Sequence, residues 1–258
     1  MRLKDKVALV TGSGRGIGFT IARHLAKEGA RVALCDIDGE LAAKAADALR
    51  QEGFEALSYK VDVTDTPAIE AMVEDIVAQW GGIDILVNNA GVILVKKVLD
   101  ITDEEWDWVF RVNVRGTFAC SRIVGRHMAS RGGGVIINAS SNSGKTPGRF
   151  QAAYAASKFA VVGLTQALAM ELGPYNIRVN AYCPGIVETD MWDYIDERLA
   201  ELTNTPVGQA RRETVSQIPL GRAANEEDVA KVVVFLASDD SAYMTGQSLN
   251  ICGGRRMH

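Results

Sequence analysis

The sequence is poor in the residues that hold metals or staple a fold. Its four cysteines, Cys35, Cys120, Cys183 and Cys252, are widely dispersed and form no Cys-x-x-Cys pair. The three histidines, His24, His127 and His258, are scattered too. Such spacing predicts neither a disulfide framework nor a zinc site, so no metal is expected. Free thiols suit a reducing cytosol. The opening MRLKDKVALVTG lacks the design of a secretory signal, because a charged stretch runs straight into a strand pattern. No apolar run approaches the roughly 18 residues that a membrane helix needs. No long basic run occurs and the net charge is −4, which argues against nucleic acid or an anionic membrane as the main partner. Linkers rich in Pro, Gly or Ser and low-complexity tracts are also missing. The expectation is a cytoplasmic protein whose partner is a small molecule.

What is present is an alternation of short apolar runs with longer helical patterns. Strands are expected over 6–11, 31–36, 56–61, 83–87, 135–139, 178–182 and 248–252. Helices are expected over 17–28, 39–51, 66–80, 103–130, 152–172 and 225–237, the third with Asp65 as N-cap and Pro67 in its first turn. Repeated βαβ units imply an α/β fold: a doubly wound, Rossmann-type parallel sheet of about seven strands with helices on both faces. The runs are apolar throughout rather than alternating, as a sheet covered on both sides requires. The whole chain, 1–258, reads as a single domain. The stretch 185–217 reads as long and irregular, and a substrate loop is expected over about 186–217.

The first strand runs into TGSGRGIG, residues 11–18, and a helix follows. Glycine lets the backbone turn tightly and approach a pyrophosphate, and the helix N-terminus adds free N–H groups and a positive dipole end. Asp36 lies about 20 residues on, at the end of the second strand, where a dinucleotide site places its ribose-binding acid. A carboxylate there repels a 2′-phosphate by a few kcal/mol, so NAD is expected over NADP. Arg15 argues the other way, since an arginine can greet that phosphate. Gly14 adds a glycine within the motif, and a looser loop is expected from it.

Tyr154 and Lys158 stand four apart in YAASK and face the same way on a helix. Ser141 lies upstream, just past a strand end, where doubly wound sheets place ligands. To take a proton from an alcohol, a tyrosine must become acidic by about three pKa units, or about 4 kcal/mol. A lysine ammonium about 4 Å away supplies about that much at an effective dielectric near 20. Ser141 can hold the substrate oxygen meanwhile. Taken alone, the Tyr–Lys spacing is far more often that of an ordinary surface pair.

Together these residues resemble the short-chain dehydrogenase/reductase family. The resemblance rests on residues 11–18, the run Asn88-Asn89-Ala90-Gly91, Asn113, Ser141, the Tyr154/Lys158 pair, and Pro184-Gly185 followed by Thr189, and extends to Gly253-Gly254. It implies a nicotinamide-dependent enzyme interconverting a secondary alcohol and a ketone. Tyr154 would be the general acid/base, Lys158 its pKa modifier and ribose anchor, and Ser141 the group that orients the substrate. Asn113 would interrupt a helix to hold a water in a proton relay. Gly12, Arg15, Gly16, Ile17, Gly18 and Asp36 would bind the adenosine and pyrophosphate half. Asp62 and Val63 would flank adenine, Asn89, Ala90 and Gly91 would line the cleft, and Pro184, Gly185, Val187 and Thr189 would hold the nicotinamide end. The Ser-x-x-Gly pattern ending at Gly144 favours Ser141 over its neighbour Ser140. A homotetramer is also implied, and Ala153, Ala156, Phe159, Ala160, Gly163, Ala167 and Met170 could serve an intersubunit bundle.

The substrate-side residues expected are Ser143, Lys145, Arg149, Met191 and Trp192, with the two cations able to meet a phosphate or carboxylate. Residues 183–187, 191–196 and 243–248 are similar to polyol and 2,3-butanediol/acetoin dehydrogenases within the family, and 141–145 to the sorbitol and sorbitol-phosphate group. A sorbitol-like polyol is therefore the first expectation and acetoin or diacetyl the second. A 3-oxoacyl-carrier reductase ranks lower, since Asp36 disfavours NADPH and Trp192 would crowd a long acyl arm. Two rivals of another class are a non-catalytic NAD-binding sensor and a zinc alcohol dehydrogenase.

Overall fold

The computed structural model describes residues 1–258. Seven parallel strands form one sheet: β1 (Val7–Thr11), β2 (Arg31–Asp36), β3 (Ala56–Lys60), β4 (Ile85–Asn88), β5 (Gly134–Ala139), β6 (Ile177–Pro184) and β7 (Ser248–Ile251). Their spatial order is β3-β2-β1-β4-β5-β6-β7. The chain winds outward from β1 in one direction, then returns to start again at β4. The topological switch therefore falls between β1 and β4, where Ala8 pairs with Ile85 and Val10 with Val87. Crevices outside the carboxyl ends of strands at such a point are where these folds place ligands.

Nine helices cover the sheet: α1 (Gly16–Lys27), α2 (Gly39–Gln51), α3 (Thr66–Trp80), α4 (Asp103–Phe110), α5 (Thr117–Arg131), α6 (Ala152–Leu172), α7 (Asp190–Thr203), α8 (Gln209–Ser216) and α9 (Glu226–Ala237). One face packs Ile21, Leu25, Leu49, Val229 and Val233 of α1, α2 and α9 against Val10, Val32 and Leu34. The other packs Ile69, Ile76, Val124 and Met128 of α3 and α5 against Leu9, Leu86 and Ile136. Each central strand thus buries both its faces, which is why these runs contain almost no polar residue. Local signals bound the helices, the N-cap expected at Asp65 among them. Asp65 accepts the Ala68 N–H to cap α3, Gly81 closes it at φ +82°, and Asn225 with Asp228 forms a capping box on α9.

Two expectations about elements are corrected. The helix expected over 103–130 is not one regular element but is interrupted where the resemblance implied, at Asn113: a π-helical turn, Arg111–Gly116, separates α4 from α5. Its cause is Asn113, whose fully buried side chain accepts the Val92 N–H at 2.8 Å and donates to the Val92 carbonyl at 2.9 Å. A helix bent to meet a neighbouring strand end gains those two bonds. The stretch expected to be irregular, 185–217, holds α7 and α8. The two are joined through Asp196, buried on α7, whose carboxylate accepts the Gly208 and Arg211 N–H groups at the start of α8. A buried acid thus supplies the N-terminal cap that α8's own sequence lacks.

Candidate active site

A cleft of about 1440 Å³ opens along the carboxyl ends of the strands, across the switch point. At one end lies the glycine turn. Gly12 and Gly16 adopt φ +61° and +59°, conformations that favour glycine. A Cβ on Gly12 would stand 2.8 Å from the Ala90 Cα, and one on Gly18 2.1 Å from the Gly12 carbonyl oxygen. The loops after β1 and β4 are therefore in backbone contact, and Thr11 Oγ1 accepts the N–H groups of both Asn89 and Ala90. Asn89 in turn donates to the Gly12 carbonyl at 2.8 Å and accepts the Tyr182 hydroxyl at 2.9 Å. Asp36 lies at the end of β2, held by the Gly14 N–H at 2.9 Å and the Asp38 N–H at 3.1 Å. Gly14 is not a loosening insertion. A Cβ there would meet Leu41 Cβ at 2.7 Å and Asp36 Oδ2 at 3.0 Å, so the glycine lets the carboxylate dock on the loop. Arg15 reaches across the cleft mouth to Asp190 at 2.9 Å, both side chains largely exposed.

Asp62 and Val63 line the same end, Asp62 turning the chain by accepting the Thr64 N–H at 2.8 Å. Gly91 faces the middle of the cleft; a Cβ there would be 3.2 Å from Asn113 Oδ1 and 3.4 Å from Lys158 Nζ. Pro184, Gly185, Val187 and Thr189 form the wall after β6. Every residue expected at a dinucleotide site thus borders one continuous groove, with an open helix N-terminus at its centre. An acid holds the far end and small residues stand where the backbone must come close. That shape and donor set fit a dinucleotide.

Ser141, Tyr154 and Lys158 converge in the floor of the groove, at the ends of β5 and α6. The two adjacent serines are separated by the fold. Both border the cleft, but Ser140 is buried and its hydroxyl is spent on the Lys158 carbonyl, whereas Ser141 stays partly open. Gly144 permits this packing, since a Cβ there would fall 2.5 Å from Ser140 Oγ. Lys158 Nζ donates to the Ala139 carbonyl at 2.8 Å and lies 5.6 Å from the centre of the Tyr154 ring. In the chain by itself burial pushes the Tyr154 phenol above its ordinary value, with the Ser141 hydroxyl pulling it the other way. That is opposite to the lowering expected from the lysine. The physical reason is that the phenol is enclosed while the ammonium is directed at a carbonyl. Burial also pushes Lys158 down to about 8.

The substrate end is rearranged relative to expectation. Arg149, Ser143, Met191 and Trp192 border the cleft, and Ser143 meets the Gln151 amide at 3.1 Å. Lys145 does not; its amine turns away to the Ser248 carbonyl at 2.7 Å and ties this loop to β7. Sequence reasoning missed Asn142, Gln151, Arg211, Thr214, Arg255 and Arg256, which all line the cleft. Asn142 follows Ser141 directly and was within reach of inspection. The others arrive by tertiary packing and carry no local signal. Cys183 is fully buried next to this wall and has no histidine partner, a packing residue rather than a thiol nucleophile.

This is the site of a dehydrogenase built on a doubly wound sheet, and the chain belongs to the short-chain dehydrogenase/reductase family. Residues 12–256 match its short-chain dehydrogenase profile described as enoyl-(acyl carrier protein) reductase. The sorbitol dehydrogenase of Cereibacter sphaeroides is 39% identical over 258 residues, covering 100% of both chains. A diacetyl reductase, (S)-acetoin forming, of Staphylococcus epidermidis is 39% identical over 97% of this chain and 98% of its own. The crystal structure of NAD+-bound xylitol dehydrogenase superimposes with a TM-score of 0.93 at 37% identity, covering 98% of this chain and 100% of that one. The protein is accordingly an oxidoreductase acting on the CH–OH group of alcohols.

Proposed function

We propose that the protein is an NAD-dependent polyol dehydrogenase, interconverting a secondary alcohol of a sorbitol-like polyol and the corresponding ketone. The observation that carries this reading is the convergence of Ser141, Tyr154 and Lys158 on the floor of a dinucleotide-shaped groove. The sorbitol and xylitol dehydrogenase relatives support the substrate class. Asp36 supports NAD: its oxygens are pinned by backbone N–H groups facing the adenosine end. A second negative charge about 4 Å from it would be opposed by about 4 kcal/mol at an effective dielectric near 20. Arg15 is engaged by Asp190 and offers little compensation.

Bound NAD supplies the hydride acceptor in oxidation and the donor in reduction. In the oxidative direction the Ser141 hydroxyl holds the substrate oxygen, and Tyr154 Oη takes the hydroxyl proton. Lys158 makes this possible by its charge. Its ammonium, 5.6 Å from the centre of the Tyr154 ring, lowers the cost of forming the phenolate by its charge. Asn113 holds the loop after β4 against Ser157, donating to its hydroxyl at 3.0 Å, and so keeps Gly91 beside Lys158. Trp192, Ile195, Ile93 and Val95 pack around Tyr154 and exclude water from the reacting end. We further propose a homotetramer, and Phe159 and Met170, exposed on α6, belong to its interface; Ala153, expected there, is fully buried within the protomer.

The deciding experiment is Tyr154→Phe. Turnover of sorbitol and other hexitols with NAD should fall by 10³ or more, on the order of a lost general base combined with lost positioning, while NADH still binds by fluorescence titration. A variant that turns over normally refutes the mechanism. A wild-type enzyme that takes 2,3-butanediol or acetoin and no polyol transfers the assignment to the reaction of its staphylococcal relative.

A further inference from the structure

Charged side chains of both signs border the cleft. Asp36 and Asp62 stand at the adenosine end, whereas the opposite end is bordered by Arg149, Arg211, Arg255 and Arg256. These four come from separate parts of the fold: the loop after β5, α8, and the turn that follows β7. That turn docks where a Cβ on Gly185 would touch Cys252 at 3.1 Å and the Asn142 amide at 3.2 Å, which brings it beside the substrate wall.

Three of these four cations are not neutralised within the chain. No ion pair holds Arg149, Arg255 or Arg256. Arg149 lies over the Phe150 ring at 4.7 Å. Arg255 makes one side-chain contact, a long one of 3.5 Å to the Gln217 amide oxygen. Arg211 pairs with Asp193 through Nη2 at 2.6 Å. Yet the Nε groups of Arg211 and Arg255 are both buried with no acceptor, and so is the Asn142 amide, itself more than nine-tenths buried. Of the acids bordering the cleft near this end, Asp190 is taken by Arg15, and Glu188 is exposed, with its charge felt by Arg222. A guanidinium presents Nε–H and Nη–H as a parallel pair of donors matched to two oxygens of one anion. Buried donors without acceptors mark a place where a ligand oxygen belongs.

We propose that the natural substrate is an anionic polyol, carrying a phosphate monoester or a carboxylate at the end remote from the reacting carbinol. Arg255 and Arg211 grip that group, Arg149 and Arg256 close around it, and the Asn142 amide meets a hydroxyl of the chain between. The inference rests on the dehydrogenase reading above and names the substrate class for that same site. It also gives residues 209–216 and the C-terminal turn a shared role, since each brings one of the two gripping arginines.

The test compares sorbitol, sorbitol 6-phosphate and gluconate as substrates of the full-length enzyme with saturating NAD. One of the two anions should exceed sorbitol in kcat/KM by a hundredfold or more, mostly through KM, with the advantage shrinking as salt is raised. A preference for the phosphate ester identifies a phosphorylated polyol, and one for gluconate a sugar acid. In Arg255→Gln, and independently in Arg211→Gln, the ratio of anionic to neutral kcat/KM should drop ten- to a hundredfold. Calorimetric titration of the preferred anion into the NADH complex should show the same loss of affinity. Sorbitol turned over as well as either anion, or a ratio that neither variant moves, overturns the inference and leaves the dehydrogenase reading standing. Failure to oxidise any alcohol overturns both.

Discussion

Two side chains carry charges whose consequences can be measured. Asp36 is held rigidly by the backbone of the loop it faces, so its preference against a 2′-phosphate cannot relax by rotation. Asp36→Ser should lower kcat/KM with NAD and raise it with NADP, shifting their ratio by about a hundredfold or more, as expected from removing a few kcal/mol of repulsion; steady-state kinetics with both cofactors checks it. Lys158, pushed down to about 8 by burial, loses its charge as the pH rises through that value. Ketone reduction needs Tyr154 protonated, which burial favours, and Lys158 charged. The kcat/KM for reduction should therefore be level below about pH 8 and fall above it. Lys158→Arg, which keeps its charge, should retain part of the activity and move the fall to higher pH. The glycine turn between strand and helix and the acid at a strand end could be read from local context, whereas the tyrosine and lysine one helical turn apart took their meaning from Ser141 and the family resemblance. The direction of the Tyr154 shift was not legible, since enclosure depends on Ile93, Val95 and Ile195 from distant loops.

At the level of elements, the α7–α8 pair is the part of the site that pattern reading failed to find. α8 has no buried residue at all, so no apolar stripe announces it, whereas α7 carries one in Trp192, Ile195, Leu199 and Leu202 that the reading of 185–217 as irregular passed over. Asp196 supplies from outside what the local sequence does not. Asp196→Ala leaves two N–H groups unpaired at the start of α8, a loss of about 1–3 kcal/mol in that unit. KM for the alcohol should rise tenfold or more with KM for NAD little changed, and limited proteolysis should cut faster between Asn204 and Gly208. Equal effects on both KM values would mean the helices serve the whole cleft rather than its substrate end. The fate of Lys145 has the same lesson. Its neighbour Ser141 fixed its place in sequence, but its partner on β7 is 103 residues away, and no local pattern encodes that contact. The regular strands and the helices that cover them were readable throughout because burial on both sides of the sheet leaves an uninterrupted apolar run.

For the molecule as a whole, α4, α5 and α6 present exposed apolar side chains among their charged ones: Trp106 stacks on Phe110 at 4.9 Å, and Phe118, Phe159 and Met170 stand exposed. Phe110, Phe118 and Leu164 border a shallow groove of about 450 Å³ there. Light scattering should give a mass several times 27.8 kDa, four times for the proposed tetramer, and Phe159→Glu should lower it. A monomeric wild type removes the tetramer. None of the helices is long and apolar enough to cross a membrane. The seam between β1 and β4 has one more consequence. The strands that meet there are 77 positions apart along the chain, as Ala8 and Ile85 show. During synthesis the first strand must wait, one edge bare, while two complete βα units are made beyond it. The crevice that receives the ligand therefore cannot close until β4 has been made, and refolding should be slow for a protein so rich in helix.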